Sequence, residues 1–269
     1  MTQAPEAEKD VPADTQTVAR ALYEASRTRT LLRPPSNTFP SFGVAQGYEV
    51  QRRLRDLHVA EGTTCVGAKL GLTSRAKQLQ MGVDTIVYGF LTEAMRLDIG
   101  EPLAVASLAQ PRVEPEIAFL IGRPLFGRHI TTADVVAATE AVCPAIEVLD
   151  SRYRDYRFTA ADVVADNASS GRFIAGVPMT PTDALDLRLL GCVFERDGEL
   201  IGTAAGAAAL GHPASSVTAL VRALADHDEG LNPGDVVLSG GLTAAVPVAA
   251  GNTFTVRFDR LGTLDLRCV

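Results

Sequence analysis

Short apolar segments separated by turn residues fill the chain from Val66 onward, and this pattern restricts the fold more than any other feature. The segments are rich in Val, Ile, Leu and Phe, while Gly, Pro and Asp stand between them. Runs of this length and composition are typical of β-strands. We therefore predict strands over residues 114–121, 145–149, 189–195, 236–239 and 254–258.

Two predicted hairpins and two predicted helices complete this part of the chain. The turns fall at residues 197–198 and 260–262, each between two strand-like segments. Residues 132–142 begin with a threonine cap, and residues 215–227 carry apolar side chains at helical spacing. Strands and helices do not alternate as they do in a wound parallel sheet, so the pattern predicts an α+β fold.

The first sixty residues have a different character. Residues 1–14 are acidic and rich in Pro and Ala, which predicts a flexible tail. Helices are predicted over residues 15–27 and 44–60, whereas the three prolines within residues 33–42 indicate a loop. We therefore expect a tail over residues 1–14, a helical N-terminal region over residues 15–64 and a larger domain over residues 65–269.

Composition excludes several classes of protein. The net charge is -7 with no basic block, which argues against nucleic-acid binding. The longest apolar runs, such as residues 204–210, are far shorter than the ~20 residues that span a bilayer. No secretory leader is visible, so we expect a cytoplasmic protein. In that compartment the cysteines are expected to be buried apolar residues: Cys65, Cys143, Cys192 and Cys268.

Common cofactor motifs do not occur in the sequence. It contains no HExxH motif and no pair of neighbouring histidines, so a histidine-based zinc site is not indicated. The glycine-rich stretches at residues 67–71 and 239–241 match neither the dinucleotide nor the P-loop spacing. We therefore expect no nucleotide cofactor.

Acidic side chains inside an apolar strand are the most informative functional feature. Residues i and i+2 of a strand share a face, so Glu114 and Glu116 project together while Ile117 and Phe119 face the other way. Two neighbouring carboxylates repel each other, and apolar surroundings disfavour their ionisation further. A Lys or Arg, a shared proton or a metal ion must therefore compensate them.

A third acidic residue, Glu147, lies in the apolar stretch PAIEVLD. A buried charge without a partner is strongly disfavoured, so Glu147 also requires compensation. Three carboxylates without histidine or thiolate favour a hard ion such as Mg²⁺ or Mn²⁺. The spacing fits equally a solvent-facing pair and an acid at a sheet edge, so both interpretations stay open at this point.

Six segments cover almost everything from Gly67 to the C-terminus, in order: GAKLGLTSRAKQLQMGVDTIVYGFL, VEPEIAFLIG, PAIEVLDSRY, VVADNASSGRF, GAAALGHPASSV and VVLSGGLTAAVPVAAGNTFTV. Together they resemble the hydratase/decarboxylase family of the fumarylacetoacetate hydrolase superfamily. The resemblance implies Mg²⁺ or Mn²⁺ held by Glu114, Glu116 and Glu147. It also implies a curved mixed β-roll or sandwich, with the helical N-terminal region packed against a catalytic domain. Pro115 stands where the family is expected to have Ala or Gly, so we expect a sheet edge or bulge there.

The resemblance implies further site residues. Lys69 and Asp84 are expected to be catalytic, with Lys69 pairing with a substrate carboxylate or donating a proton and Asp84 relaying one. Arg152 is expected to support Glu147. The expected substrate-binding residues are Leu70, Asn167, Ser169, Ser170, Ser239 and Thr243. Without the family context, Lys69 fits an exposed lysine equally well, Asp84 fits a turn residue, and the Asn, Ser and Thr residues fit caps and turns.

The implied substrates are 2-oxo acids that chelate the ion through their carboxylate and 2-oxo oxygens. QMGVDTIVYGFL and SGGLTAAVPV resemble the decarboxylase members more than the hydratases. We therefore expect metal-dependent decarboxylation of 2-oxohex-3-enedioate to 2-hydroxypenta-2,4-dienoate and CO₂, in meta-cleavage catabolism of aromatic compounds. Hydration of 2-hydroxypenta-2,4-dienoate is the alternative. A homo-oligomer and a complex with a partner hydratase are also expected.

Two other functions are less favoured. Hydrolytic members of the superfamily commonly add a His/Glu pair near the start of the domain, and this sequence has no convincing counterpart of that pair. A non-catalytic, metal-stabilised binding protein has no support either, because Lys69 and all three glutamates are present.

Overall fold

The computed structural model describes residues 14–177, 180–182 and 185–269. The helices of these residues are α1 Thr15–Thr28, α2 Val44–Ala60, α3 Arg75–Met81, α4 Thr132–Ala138, α5 Ala160–Ala165 and α6 Pro213–Leu224. The predicted tail of residues 1–14 lies outside the described residues except for Asp14. That residue caps α1, because its carboxylate accepts hydrogen bonds from the backbone N–H groups of Gln16 and Thr17.

Thirteen strands are described. They are β1 Cys65–Gly71, β2 Val87–Thr92, β3 Arg112–Ile121, β4 Leu125–Phe126, β5 Thr139–Leu149, β6 Ser170–Ala175, β7 Gly191–Arg196, β8 Glu199–Ala205, β9 Gly230–Leu231, β10 Val236–Leu238, β11 Val246–Pro247, β12 Thr253–Phe258 and β13 Gly262–Arg267. All five predicted strands are present, and β7–β8 and β12–β13 are the two predicted hairpins.

The strands form two principal sheets. The larger has the order β2-β1-β10-β3-β5-β6, with β11 also paired to β3. Only the β1–β10 pair is parallel among its pairings, so the sheet is mixed. The second sheet is antiparallel, with the order β13-β12-β7-β8. A small pair, β4–β9, lies apart from both. The architecture is α+β, as predicted.

The two faces of the larger sheet pack against different elements. On one face Ile117 and Ile146 join a core that includes Phe254 of the second sheet and Leu220 of α6. On the other face Ala118 and Phe173 pack with residues of the N-terminal helices, such as Leu22 and Val50. Because side chains alternate along a strand, the glutamates of β3 share the face of Ala118. The N-terminal helices therefore cover the face that carries the carboxylates.

Of the four predicted helices, α1 and α2 agree with the structure to within one residue, whereas α4 and α6 differ at their ends. The predicted helix over residues 132–142 is wrong beyond Ala138, because the chain passes directly into β5 at Thr139. Residues 139–149 pair along nearly the whole of β3, and that pairing outweighs the helical pattern. Helix α2 matches the prediction, α1 is one residue longer, and α6 begins at Pro213, a favoured first helical residue.

The surroundings of Pro115 differ from the expectation. Strand β3 is internal rather than an edge, and Pro115 pairs with Ile146 of β5 without a bulge. On its other side, β3 pairs with β10 at residues 118–120 and with β11 at residues 112–113. Pro115 lies between these two pairings, where its carbonyl accepts a hydrogen bond from the backbone N–H of Leu242 at 3.0 Å. The missing N–H therefore interrupts no strand pairing.

A left-handed turn follows α5. Asn167, Ala168 and Ser169 have φ angles of 51°, 50° and 58°. Such a run is unfavourable unless neighbouring contacts fix it. The Asn167 amide supplies one such contact, because it accepts from the Phe90 N–H at 2.8 Å and donates to the Phe90 carbonyl at 3.0 Å.

A buried ion pair supports the same turn. The guanidinium of Arg152 contacts the Asp166 carboxylate and donates to the Ser170 carbonyl at 2.9 Å. Burial raises the pKa of Asp166 to about 6, and the attraction of Arg152 opposes that rise. The sequence-based expectation that Arg152 supports Glu147 is wrong, because Asp166 is its carboxylate partner.

Cysteine burial and helix hydropathy complete the description. Cys143, Cys192 and Cys268 are buried, as expected, whereas Cys65 at the start of β1 is exposed, contrary to the expectation. Within the described residues, no helix has the length and apolar character needed to cross a membrane.

We predict that Arg152→Met lowers the free energy of unfolding by about 3–5 kcal/mol at pH 8, since it leaves the Asp166 charge buried and unpaired. The loss should be smaller at pH 5. There the folded variant holds a proton on Asp166, whose pKa rises further without the guanidinium, so no bare charge is buried. Urea unfolding at both pH values measures this. Arg154→Met, at an exposed position, is the control and should change stability by less than about 0.5 kcal/mol. An equal loss at the two pH values would contradict the account.

Candidate metal centre

Strands β3 and β5 bring three carboxylates together. Glu114 lies directly opposite Glu147 in the antiparallel pairing, and Glu116 lies two residues further along β3 on the same face. One oxygen from each of the three lies within 4.8 Å of the others. Glu114 is buried, and Glu116 and Glu147 are 0% exposed. The predicted trio therefore forms one compact cluster, and neither a solvent-facing pair nor an acid at a sheet edge describes it.

Two lysines contact the cluster from different elements. Lys69 of β1 places its Nζ 2.9 Å from Glu147 Oε1 and donates to the Ala168 carbonyl at 3.0 Å. Its side chain is only 2% exposed. Lys77 of α3 places its Nζ 3.1 Å from Glu114 Oε2. The left-handed turn at residues 167–169 therefore positions Lys69, because it presents the Ala168 carbonyl to which the Lys69 ammonium donates.

Two glycines after β10 let the backbone approach the carboxylates. The N–H of Gly240 donates to Glu116 Oε2 at 2.6 Å, and Gly240 has a φ of +103°. A Cβ atom on Gly241 would overlap the carboxylate of Glu114. Only glycine fits this close approach, which explains the SGG sequence at residues 239–241.

Burial and mutual repulsion change the acidity of the cluster. Burial, with the charges of Glu147 and Glu114, raises the pKa of Glu116 well above its usual value of 4.5. Burial also raises the pKa of Glu147, although the ammonium of Lys69 opposes that rise. Without a further cation, therefore, burial and repulsion disfavour the ionised form of Glu116.

The unshared oxygens of the cluster fit a metal ion. Lys69 lies close to Glu147 but is not aligned for a hydrogen bond, so neither Glu147 oxygen has a hydrogen-bond partner among the described residues; Glu116 Oε1 also has none. Buried oxygens without donors are disfavoured. Three converging carboxylates match the oxygen ligands that Mg²⁺ and Mn²⁺ prefer, and a divalent cation would satisfy these atoms.

The predicted substrate-binding serines have different surroundings. Ser170 and Ser239 are buried, and their hydroxyls have no hydrogen-bond partner among the described residues. They are therefore free to bind a ligand oxygen. Ser169 lies 3.4 Å from Asp166 through its hydroxyl. That contact is with the carboxylate that pairs with Arg152, so Ser169 belongs to the support of the turn.

The remaining predicted residues lie away from the cluster or are already engaged. The Leu70 side chain packs in the core on the opposite face from Lys69, so its expected substrate contact, which stays a prediction, could involve only its main chain. The amide of Asn167 is occupied by Phe90. Thr243 is half-buried and donates to the Ala244 carbonyl at 3.2 Å. Asp84 is exposed in the loop after α3 and makes no hydrogen bond or ion pair in the described part of the chain.

Sequence reasoning did not identify three residues at the site. Lys77 is one, although it lies within the first family-like segment. Gly241 is the second. The third is Thr73, which lies beside Gly240; its buried hydroxyl has no hydrogen-bond partner among the described residues. A glycine pair after a strand signals close backbone approach, but the sequence does not name the group it approaches.

Comparison with known proteins gives the family. The model of the fumarylacetoacetate (FAA) hydrolase C-terminal family matches residues 64–269. A 4-oxalocrotonate decarboxylase of Pseudomonas sp. (strain CF600) is 45% identical over 234 residues, which cover 87% of this chain and 89% of the relative. A 2-hydroxyhexa-2,4-dienoate hydratase of Comamonas testosteroni is 36% identical over 254 residues, which cover 94% and 96%.

A solved structure agrees over the same length. The 4-oxalocrotonate decarboxylase from Pseudomonas putida G7, complexed with magnesium and adipate, superimposes with a TM-score of 0.93 at 42% identity. The match covers 95% of this chain and 97% of that chain. The expected fold is thereby confirmed, and the chain belongs to the fumarylacetoacetate (FAA) hydrolase family.

Proposed function

We propose that this chain is a divalent-metal-dependent lyase that decarboxylates 2-oxohex-3-enedioate to 2-hydroxypenta-2,4-dienoate and CO₂. The observation that carries the proposal is the buried cluster of Glu114, Glu116 and Glu147, with three oxygens that lack hydrogen-bond partners. The names of the similar proteins support the reaction, and the magnesium in the solved relative supports the ion.

The three glutamates would hold Mg²⁺ or Mn²⁺. When bound, the ion supplies Lewis acidity, which stabilises the negative charge that develops on the 2-oxo oxygen of the substrate. The three glutamates would bind it as carboxylates, since a nearby positive charge favours the ionised form that burial and repulsion disfavour at Glu116. Gly240 keeps the Glu116 carboxylate in place through its N–H.

Lys69 would act at the closed end of the site. Its ammonium is fixed by Glu147 and the Ala168 carbonyl, and its burial keeps bulk water away from the charge. From there it would donate a hydrogen bond or a proton to the substrate. The unpartnered hydroxyls of Ser170 and Ser239 would bind substrate oxygens. Three expected roles stay predictions without a supporting contact. They are substrate binding by the main chain of Leu70, proton relay by Asp84 and substrate binding by Thr243.

The reaction needs no organic cofactor. Breaking the bond to the distal carboxylate releases CO₂, and its electron pair passes through the conjugated carbons to the 2-oxo oxygen. That oxygen then takes up one proton, from Lys69 or from solvent, to become the hydroxyl of the product. The buried cations and hydroxyls are already in place when this charge develops, so the site reorganises little during the reaction.

Hydration of 2-hydroxypenta-2,4-dienoate is the second candidate. A hydratase relative is 36% identical to this chain, against 45% for a decarboxylase relative. We favour decarboxylation because of that difference and because the solved decarboxylase matches the fold with a TM-score of 0.93.

Several wider properties stay predictions. We propose a role in meta-cleavage catabolism of aromatic compounds, a cytoplasmic location, a homo-oligomer and a complex with a partner hydratase. The division into an N-terminal region over residues 15–64 and a catalytic domain over residues 65–269 belongs with them. The chemistry of the reaction supports the complex, because the dienol product is unstable and would benefit from direct transfer.

The first prediction for the proposed function concerns the reaction itself. In the presence of Mg²⁺, the protein should release CO₂ from 2-oxohex-3-enedioate and should hydrate 2-hydroxypenta-2,4-dienoate slowly or not at all. Absorbance and CO₂ measurements with each compound separately give the answer. Hydration without decarboxylation would contradict the proposal and favour the second candidate.

A second prediction for the site distinguishes loss of metal binding from loss of folding. Glu116→Gln should abolish turnover, because it removes one carboxylate ligand. The same change should maintain or raise the free energy of unfolding in chelator, since an uncharged amide relieves the repulsion among the buried carboxylates. Turnover and urea unfolding in EDTA are the two measurements. Unchanged turnover would refute the metal assignment.

The third prediction uses the glycine that contacts Glu114. Gly241→Ala should weaken Mn²⁺ binding by about tenfold or more, because the new methyl group displaces that carboxylate. Calorimetric titration measures the affinity. The matched control is Gly191→Ala, where a Cβ meets no atom within 4 Å. Equal Mn²⁺ affinity in the two variants would show that the close approach is unimportant.

A further inference from the structure

Lys77 is a second cation at the carboxylate cluster, and none of the proposed steps involves it. It lies in the first turn of α3, on the segment between β1 and β2. Ser74 caps this helix by accepting a hydrogen bond from the Lys77 N–H at 3.3 Å. The helix start therefore fixes the backbone of Lys77, while the long side chain reaches Glu114.

The two lysines of the site differ in their freedom to move. Lys69 is held by both Glu147 and the Ala168 carbonyl, and its side chain is 2% exposed. Lys77 has Glu114 as its one hydrogen-bond partner for the ammonium among the described residues, and its side chain is 31% exposed. Lys77 therefore lies at the open side of the cluster, where its ammonium can change partner.

The charge of the cluster attracts Lys77. Burial alone would lower the pKa of Lys77, but the charges of Glu114, Glu116 and Glu147 outweigh burial and raise it. The direct contact is with Glu114, at 3.1 Å, and the charge of the other two glutamates adds to the attraction. Anything that neutralises that charge weakens the hold.

Binding of a divalent ion would remove the net negative charge that attracts Lys77 to Glu114. Three carboxylates and the Lys69 ammonium carry two net negative charges, which a divalent ion neutralises. The Lys77 ammonium then becomes an uncompensated positive charge at the open side of the pocket. The net charge of the cluster then no longer holds the ammonium at Glu114, so it is available to an anionic group of the ligand on this side of the pocket.

We propose that Lys77 binds the distal carboxylate of the substrate and so selects dicarboxylic 2-oxo acids over monocarboxylic ones. This inference rests on the proposed function. The substrate carries a carboxylate at each end of its six-carbon chain, and the end next to the 2-oxo group belongs at the ion. Since Lys69 occupies the closed side, the other end would point to the partly exposed side, where Lys77 contacts the cluster.

The reaction predicts which kinetic constant Lys77 affects. The distal carboxylate loses its charge as it leaves as CO₂, so the ion pair with Lys77 is stronger with the bound substrate than in the transition state. Such an interaction lowers KM and does not raise kcat. Lys77 is accordingly a specificity residue, and the electron pair of the broken bond moves away from it.

Binding of inert acids tests the proposal without turnover. Adipate and hexanoate are both six-carbon acids, but hexanoate lacks the second carboxylate. With Mg²⁺ present, calorimetry on the wild-type protein should show tighter binding of adipate. Lys77→Met should weaken adipate binding by about tenfold or more, while hexanoate binding changes by less than about twofold. Lys77→Arg should retain part of the preference, because it keeps the charge.

The matched control is Arg75→Met, which removes one positive charge from the same helix at an exposed position. It should leave the preference for adipate unchanged. Mg²⁺ affinity, measured in the same way, should be unchanged or tighter in Lys77→Met, because the ammonium no longer competes for Glu114. Circular dichroism checks that each variant is folded.

Three results would overturn the proposal. They are equal binding of adipate and hexanoate by the wild type, equal loss of both acids in Lys77→Met, and loss of Mg²⁺ binding in that variant. Kinetics then separate this inference from the proposed function. If the wild type releases no CO₂ from 2-oxohex-3-enedioate, the proposed function fails. If it does so and Lys77→Met has an unchanged KM, only the role of Lys77 fails.

Discussion

Repulsion among three buried carboxylates is the constraint on which the rest of the site depends. Glu114 and Glu147 lie opposite each other on neighbouring strands, and Glu116 is fully buried beside them. No strand pair would hold such charges without compensation. The chain supplies partial compensation from distant elements: Lys69 on β1, Lys77 on α3 and the N–H of Gly240 after β10. Three carboxylate oxygens still have no hydrogen-bond partner among the described residues, and a divalent ion would satisfy them.

The surrounding elements bury the carboxylate cluster on the side of Lys69 and leave it partly exposed to solvent on the side of Lys77. On the closed side, the left-handed turn at residues 167–169 presents a carbonyl to Lys69, and the buried pair of Arg152 and Asp166 supports that turn. On the open side, Lys77 is partly exposed and has fewer contacts. For the proposed reaction, fixed charges would then lie where charge develops, and the less restrained ammonium of Lys77 would contact the other end of the substrate.

Much of this could be predicted from local patterns. The period of two in β3 places Glu114 and Glu116 on one face, and the apolar surroundings of Glu147 imply that it needs a partner. What could not be predicted depends on contacts between distant segments. The end of α4 is set by the pairing of β5 with β3, and Pro115 is tolerated in an internal strand because the neighbouring ladder is interrupted there. Likewise, nothing in the sequence near Asn167 reveals that Phe90 occupies its amide, or that Lys77 reaches Glu114.

The most direct test is to locate the ion itself. Crystals grown with Mn²⁺ and measured near the manganese absorption edge give an anomalous difference map that needs no assumption about activity. The account predicts one strong peak per chain, bonded to oxygens of Glu114, Glu116 and Glu147, with Lys69 still beside Glu147. A map with no peak among these carboxylates, or with Mn²⁺ bound elsewhere while Lys77 still pairs with Glu114, would contradict it.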